Sequence, residues 1–132
     1  MAHAVVDASV VVDLLVEHPR ATGVRMALEG IDGVAPSLLD AEVLHAITRY
    51  VRRGEMSDER AQQALALLID ADIDRFPIAP LVADAWALRH NVSSYDAFYI
   101  ALARSLACPL ITCDRALAGA PGLGVTVTVI DG

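Results

Sequence analysis

The chain has 132 residues, of which 55% are hydrophobic, and its mean hydropathy is +0.48. This length and composition predict one domain over residues 1–132 with a substantial core, and they exclude a disordered chain. The formal net charge of −7 argues against a protein that holds nucleic acid by overall attraction. Any contact with nucleic acid therefore has to be local.

Several cellular settings are also disfavoured. No apolar run reaches the ~18 residues that a membrane span needs, because Arg104 and Asp114 interrupt the richest segment. The chain begins on a predicted strand rather than on a signal peptide, so we expect a cytoplasmic protein with no membrane partner. Cys108 and Cys113 have the spacing of neither a zinc knuckle nor a redox pair, and we expect them to be reduced and structural.

Strand and helix patterns alternate along the chain. In order, the predicted elements are strand 4–6, helix 10–15, helix 20–29, strand 34–35, helix 37–53, helix 58–70, strand 73–78, helix 81–89, helix 93–103, strand 109–112, helix 115–119 and strand 125–129. This alternation predicts an α/β fold with three layers, in which helices flank a central, mostly parallel sheet. Strand 73–78 alternates polar and apolar residues, so we expect that one of its faces is open to solvent or that it lies at the sheet edge.

Acidic residues occupy different positions within these helices. Asp13 and Glu17, four residues apart, are expected as a pair on the polar side of the first helix. Glu42 instead lies inside an apolar stripe, one turn after Leu38 and Leu39, where a carboxylate is costly unless a cation meets it. It is either a side chain that reaches solvent or an Arg, or a functional acid. Asp40 is expected to be a surface acid.

Three further acids lie at the ends of predicted elements. Asp7 ends the first strand, Asp114 ends the apolar strand 109–112, and Asp96 lies in the first turn of a helix that Ser93 or Ser94 can cap. An acid that opens a helix usually only compensates the helix dipole. In open α/β sheets, however, sites form at the carboxyl ends of the strands. We therefore expect these acids to lie near one another.

Four carboxylates in one place would repel each other unless a cation were bound. Mg²⁺ or Mn²⁺ suits such oxygen ligands, and phosphodiester hydrolysis is the reaction that this arrangement serves best. Ser9 and Thr112 each lie two residues from one of the acids and could orient a carboxylate or a metal-bound water. Alternatively, they are a helix cap and an ordinary strand threonine.

Four sequence blocks, in order, resemble one known family. They are residues 5–10, 40–44, 94–103 and 110–115, of which Ser-Tyr-Asp-Ala-Phe-Tyr-Ile-Ala-Leu-Ala at 94–103 is the most specific. The chain resembles the PIN-domain ribonucleases, and in particular the VapC toxins of type II toxin–antitoxin pairs. The resemblance implies a PIN-like fold and an Mg²⁺- or Mn²⁺-dependent endoribonuclease. It also implies that Asp7, Glu42, Asp96 and Asp114 bind the metal and carry catalysis, supported by Ser9 and Thr112.

The resemblance also implies partners. These are an RNA substrate, a cognate VapB-like antitoxin and a second copy of the chain in a homodimer. Arg49 and Arg115 could hold RNA phosphates, although Arg at a helix C-terminus also satisfies the helix dipole. Apolar residues at 61–68 and 24–28 could supply a groove for the antitoxin, or could simply be core. Tyr95, Phe98 and Tyr99 are expected in the core rather than under RNA bases.

Other functions remain to be compared. A phosphoacceptor receiver domain needs a lysine, and all ten basic residues here are Arg. A haloacid-dehalogenase-type phosphatase needs a second Asp where Ser9 stands. The remaining alternatives are a PIN-fold interaction module that does not cleave and an RNA-processing nuclease outside a toxin–antitoxin pair. Which RNA is cut does not follow from the residues.

Overall fold

The computed structural model of the chain describes residues 2–131. The strands are β1 (Ala2–Val6), β2 (Ile31–Pro36), β3 (Ile73–Phe76), β4 (Leu110–Thr112) and β5 (Val127–Val129). The helices are α1 (Ala8–Leu15), α2 (Ala21–Leu28), α3 (Leu38–Arg52), α4 (Asp58–Asp70), α5 (Val82–Ala87), α6 (Ser94–Leu106) and α7 (Arg115–Ala118), and a 3₁₀ turn at Ala79–Leu81 precedes α5. The predicted order of strands and helices is confirmed, with several ends shifted by a few residues.

The five strands form one sheet in the order β3-β2-β1-β4-β5, and every neighbouring pair is parallel. The chain builds the sheet outwards from β1 to β3 and then returns to place β4 on the other side of β1. Val6 of β1 is paired with Ile111 of β4, so these two strands end side by side. Ligand sites in such sheets lie outside the carboxyl ends of the strands at this reversal.

Helices flank the sheet in the predicted three-layer arrangement. Helix α1 packs against α2, α3 and α4, whereas α6 packs against β1, β2, β4 and α5. The core is built from the apolar stripes that the helical spacing predicted, such as Leu39, Val43 and Ile47 of α3. Strand β3 is an edge strand, one of the two settings predicted for it, which agrees with its half-buried side chains.

Two acids that were predicted at the surface, Asp13 and Asp40, each meet an arginine. The pairing of Asp13 with Glu17 is wrong: Asp13 is buried and forms an ion pair with Arg20 at 2.9 Å, while Glu17 lies beyond the helix with a φ of 55°. Burial of Asp13 is tolerated because a guanidinium meets it. Asp40 is half-exposed, and its carboxylate accepts a hydrogen bond from Arg75 at 3.0 Å.

Neither cysteine forms a disulfide. Cys113 is buried directly after β4, and burial together with the nearby Asp13 carboxylate raises the pKa of its thiol to about 12. A thiol in this state is a poor nucleophile, in agreement with the predicted structural role. None of the helices in the described part of the chain has the length and apolar character needed to cross a membrane.

Candidate active site

Asp7 is held firmly at the carboxyl end of β1. Its Oδ1 accepts hydrogen bonds from the Ser9 hydroxyl at 2.5 Å and from the backbone N–H of Val10 at 3.3 Å, which makes Asp7 the N-cap of α1. Its Oδ2 accepts a hydrogen bond from the hydroxyl of Thr112 on β4. A side chain that is almost completely buried thus keeps both carboxylate oxygens satisfied.

The two predicted supporting hydroxyls join the ends of β1 and β4. The Ser9 hydroxyl accepts a hydrogen bond from the backbone N–H of Cys113 at 3.0 Å, and the Thr112 hydroxyl accepts one from the N–H of Asp114 at 3.0 Å. Both hydroxyls therefore donate to Asp7 while they fix the turn that follows β4. The predicted position of Ser9 and Thr112 beside an acid is observed, and their catalytic role remains a prediction.

Asp96 and Asp114 open helices at the same edge of the sheet. Asp96 lies half-buried in the first turn of α6, where its backbone N–H donates to the N-cap hydroxyl of Ser93. Asp114 is exposed and is the N-cap of α7, since its carboxylate accepts a hydrogen bond from the N–H of Ala116 at 2.9 Å. Asp114 therefore caps its own helix, whereas Ser93 caps α6 and Asp96 lies behind it in the first turn.

Glu42 projects from α3 towards α6. Its Oε1 accepts a hydrogen bond of 2.7 Å from the hydroxyl of Tyr99, which lies one turn after Asp96. Glu42 lies in an apolar stripe, where its carboxylate needs a partner. That partner is the neutral hydroxyl of Tyr99 rather than an Arg. The sequence prediction placed Tyr99 in the core, which is right, but missed its polar contact. The signal was present: Tyr99 is at i+3 from Asp96, on the same face of α6.

The acids of this cluster affect one another electrostatically. Burial is the largest cause that raises the pKa of Asp7, of Glu42 and of Asp96 above the ordinary carboxyl values. Asp96 also raises the pKa of Asp7 and of Glu42, and Asp114 raises that of Asp96. Burial and the Glu42 carboxylate raise the pKa of Tyr99, so its hydroxyl keeps its proton and donates. These mutual effects, together with the Thr112 hydroxyl that joins Asp7 to the backbone of Asp114, place the four predicted acids near one another.

The donor set fits a hard divalent cation in its chemistry. Carboxylate oxygens are ligands that Mg²⁺ and Mn²⁺ prefer. The charge of such a cation would also offset the repulsion between the carboxylates. Among residues 2–131, however, no three His, Cys, Asp or Glu side chains are already arranged as a metal site. A cation would have to draw the side chains closer, and Glu42, Asp96 and Asp114 retain enough exposure to move.

A groove of about 490 Å³ has one of the acids, Glu42, in its lining. Its lining residues come from α3 and α6: Leu38, Ala41, Glu42, His45 and Tyr95. The prediction that Tyr95 belongs to the core is wrong, because its side chain is exposed at the start of α6. The two arginines predicted to contact RNA are both exposed. Arg115 forms an ion pair of 2.7 Å with Asp131, and Arg49 lines a separate cavity farther along α3.

Replacement of Thr112 by Val should destabilise the protein. The substitution keeps the shape of a fully buried side chain but removes a hydroxyl that donates to Asp7 and accepts from Asp114. A buried carboxylate that loses a donor costs about 1–3 kcal/mol of folding free energy. Urea unfolding should show this loss, whereas Thr128→Val, an exposed strand threonine of β5, serves as the matched control. Equal midpoints for the two variants would contradict the assigned contacts.

The chain also matches a known protein family. The model of the PIN domain matches residues 4–123, a span that contains all four acids. The chain belongs to the PIN-domain family. This PIN domain is 45% identical over 132 residues to ribonuclease VapC1 of Mycobacterium tuberculosis, covering 98% of the chain and 99% of that relative. It is 33% identical over 126 residues to ribonuclease VapC12 of the same species, covering 96% and 98%. It is therefore a PIN domain of the VapC type.

Solved structures agree with this fold. The PIN domain matches VapBC2 from Rickettsia felis, solved with a DNA fragment from its promoter, with a TM-score of 0.73 and 15% identity over 99% of this chain and 100% of that one. It matches VapBC-5 of Mycobacterium tuberculosis, a member of the VapBC family of toxin–antitoxin systems, with a TM-score of 0.59 and 25% identity over 100% of both chains. The predicted three-layer PIN-like fold is thus confirmed.

Proposed function

We propose that this PIN domain is a metal-dependent endoribonuclease and the toxin of a type II toxin–antitoxin pair. The observation that carries the proposal is the common region of Asp7, Glu42, Asp96 and Asp114, in which burial and mutual repulsion raise the pKa of the first three. Such an arrangement is costly for stability and is typical of functional sites. Its relatives VapC1 and VapC12 are named ribonucleases, and this supplies RNA as the proposed substrate class.

The proposed roles follow from the contacts of each side chain. Asp7, Glu42, Asp96 and Asp114 would hold Mg²⁺ or Mn²⁺, and no other cofactor is proposed. A cation held by these carboxylates would lower the pKa of an attacking water and offset charge on the phosphate. Ser9 and Thr112 orient Asp7, and Tyr99 orients Glu42.

Arginine contacts with the RNA backbone are a separate part of the proposal. Arg115 directly follows Asp114, and its guanidinium would exchange the exposed Asp131 carboxylate for an RNA phosphate. Arg49 lies two turns beyond Glu42 on α3 and is exposed. Arg115 thus adjoins one of the acids and Arg49 lies farther along α3, and their local positive charge would offset the net charge of −7.

The proposed partners are a VapB-like antitoxin and a second copy of the chain. Toxin–antitoxin complexes are among the similar structures, including one from Klebsiella pneumoniae and VapBC-5. The predicted antitoxin segments do expose apolar side chains: Met26 of α2 and Leu67 of α4 are 70% and 59% exposed, and Ile69 follows at 77%. Other residues of the same segments, such as Val24 and Leu68, are buried and belong to the core.

Purified protein freed of any partner should cleave RNA with Mg²⁺ or Mn²⁺ and stop when EDTA removes the metal. Gel analysis of 5′-labelled total RNA measures this, and excess Mg²⁺ after EDTA is the control that restores cleavage. Cleavage that continues in EDTA would contradict the metal site. Added antitoxin should inhibit. Binding of the antitoxin without any cleavage would instead indicate a PIN-fold interaction module, and cleavage that the antitoxin leaves unchanged would indicate an RNA-processing nuclease.

A further inference from the structure

An exposed aromatic side chain beside the acids has no role in the site described above. Tyr95 directly precedes Asp96 in the first turn of α6, and 59% of its surface is exposed. The two other aromatic residues of α6 behave differently, since Phe98 is half-buried and Tyr99 is buried. An aromatic ring gains free energy when it is covered, so an exposed ring beside a site can supply contact area to a ligand there.

The groove next to Tyr95 has the surface that a flat ring needs. Its walls are Tyr95 from α6 and, from α3, the apolar side chains Leu38 and Ala41 together with the imidazole of His45. Glu42 lies among the same lining residues. A planar ligand in contact with the Tyr95 ring is therefore adjacent to the acidic cluster. Nucleobases are such ligands, because each one has an aromatic face.

The charge of the protein makes a contact of this kind valuable. A net charge of −7 repels phosphates, so RNA cannot be held here by overall attraction. Stacking on an aromatic ring needs no positive charge. Positive charge begins farther along α3, where Arg49 and Arg53 line a neighbouring cavity of about 200 Å³. Arg49 is seven residues from Glu42, about 10 Å along the helix axis.

We propose that Tyr95 is a stacking platform that holds one base of single-stranded RNA in this groove, beside the phosphate that is cleaved. The proposal rests on the proposed function, because it takes RNA as the ligand. Stacking tolerates any base, so the platform positions the strand and does not select a sequence. The neighbouring phosphates of the strand then extend along α3 towards Arg49.

Binding measurements can test this without catalysis. The Asp7→Asn protein, with Mg²⁺ present, is titrated into labelled single-stranded RNA homopolymers about ten nucleotides long. Tyr95→Ala in this background should weaken binding about tenfold for each homopolymer, whereas Tyr95→Phe should bind as the parent does. Alanine is a good helix former, so the exposed position tolerates it. A 2-aminopurine base in the RNA should be quenched by the parent and by Tyr95→Phe, but not by Tyr95→Ala.

Trp86→Ala is the matched control. Trp86 is also an exposed helical aromatic residue, but its ring lies 4.4 Å from the Arg89 guanidinium and lines a different cavity. This variant should bind RNA within about twofold of the parent. The proposal is overturned if Tyr95→Ala binds like the parent, if Tyr95→Phe is as weak as Tyr95→Ala, or if Tyr95→Ala changes only antitoxin binding or the oligomeric state. If Tyr95→Ala weakens RNA binding but the protein with Asp7 intact shows no metal-dependent cleavage, the stacking platform stands and the nuclease assignment is overturned.

Discussion

Asp7→Asn, Glu42→Gln and Asp96→Asn should each reduce RNA cleavage by about 10²-fold to 10³-fold or more while the fold stays intact. Each substitution keeps the size of the side chain and removes one negative charge from a cluster whose charges affect one another. Asn at position 7 can still cap α1, because its side-chain oxygen can accept from Val10. Single-turnover cleavage at saturating Mg²⁺ measures the loss, and circular dichroism checks the fold.

Asp84→Asn provides the matched control for these variants. Like Asp96, Asp84 is an acid in the first turn of a helix, but it lies on the exposed side of α5. Its replacement should leave the cleavage rate unchanged. Cleavage retained by any two of the three acid variants would refute the assignment of the site. A loss caused equally by Asp84→Asn would show that the assay reports net charge rather than the acidic cluster.

Without metal, Asp96→Asn should melt at a higher temperature than the parent at pH 7. The pKa of Asp96 is raised by burial and by Asp114, which means that the folded protein disfavours the charged carboxylate. The amide removes this unfavourable charge and keeps the volume. Because the carboxylate is half-exposed, solvent screening keeps the gain in Tm to a few degrees. Differential scanning calorimetry in EDTA measures it.

The pH dependence of this gain has a definite sign. A carboxyl whose folded pKa is raised is most favourable to stability below its unfolded pKa, near 4, and loses that contribution as the pH rises through the folded pKa. The advantage of Asp96→Asn should therefore appear as the pH rises from about 4 to 7. Mn²⁺ should raise the Tm of the parent more than that of the variant, because a bound cation offsets the charge.

The control for the stability measurement is again Asp84→Asn. That variant loses only a favourable charge at a helix N-terminus, so its Tm should fall slightly or stay the same. A lower Tm for Asp7→Asn, Glu42→Gln and Asp96→Asn alike, in the absence of metal, would favour a structural role for these acids. Such a result would leave the carboxylates as caps and hydrogen-bond acceptors.

The sequence predicted the placement of the acids because each one is tied to the end or the face of an element. Asp7 and Asp114 follow buried strands, and parallel strands bring their carboxyl ends to one edge of the sheet. Glu42 was noticed because an acid interrupts an apolar stripe of α3. These inferences use local periodicity and one rule of topology, and both are visible in a single chain.

The aromatic residues of α6 were harder to assign. Tyr95 and Tyr99 are separated by one turn, and the sequence alone does not reveal that the helix begins with one ring in solvent and the other over the sheet. The burial of Asp13 was missed for a similar reason. Its partner Arg20 lies beyond a break after α1, so the pairing depends on how the chain turns back. Contacts of this kind depend on packing angles rather than on spacing.

The position of β4 beside β1 determines when the pocket around Asp7 can be completed during synthesis of the chain. Asp7 needs the hydroxyl of Thr112, which is separated from it by 105 positions. A ribosome has therefore translated β1, β2 and β3 well before the partner strand exists. A growing chain that has not yet produced β4 has no completed pocket, however many of its helices have formed. The proposed nuclease activity therefore cannot appear before β4 has been translated, and the proposed antitoxin has no completed pocket to block before then.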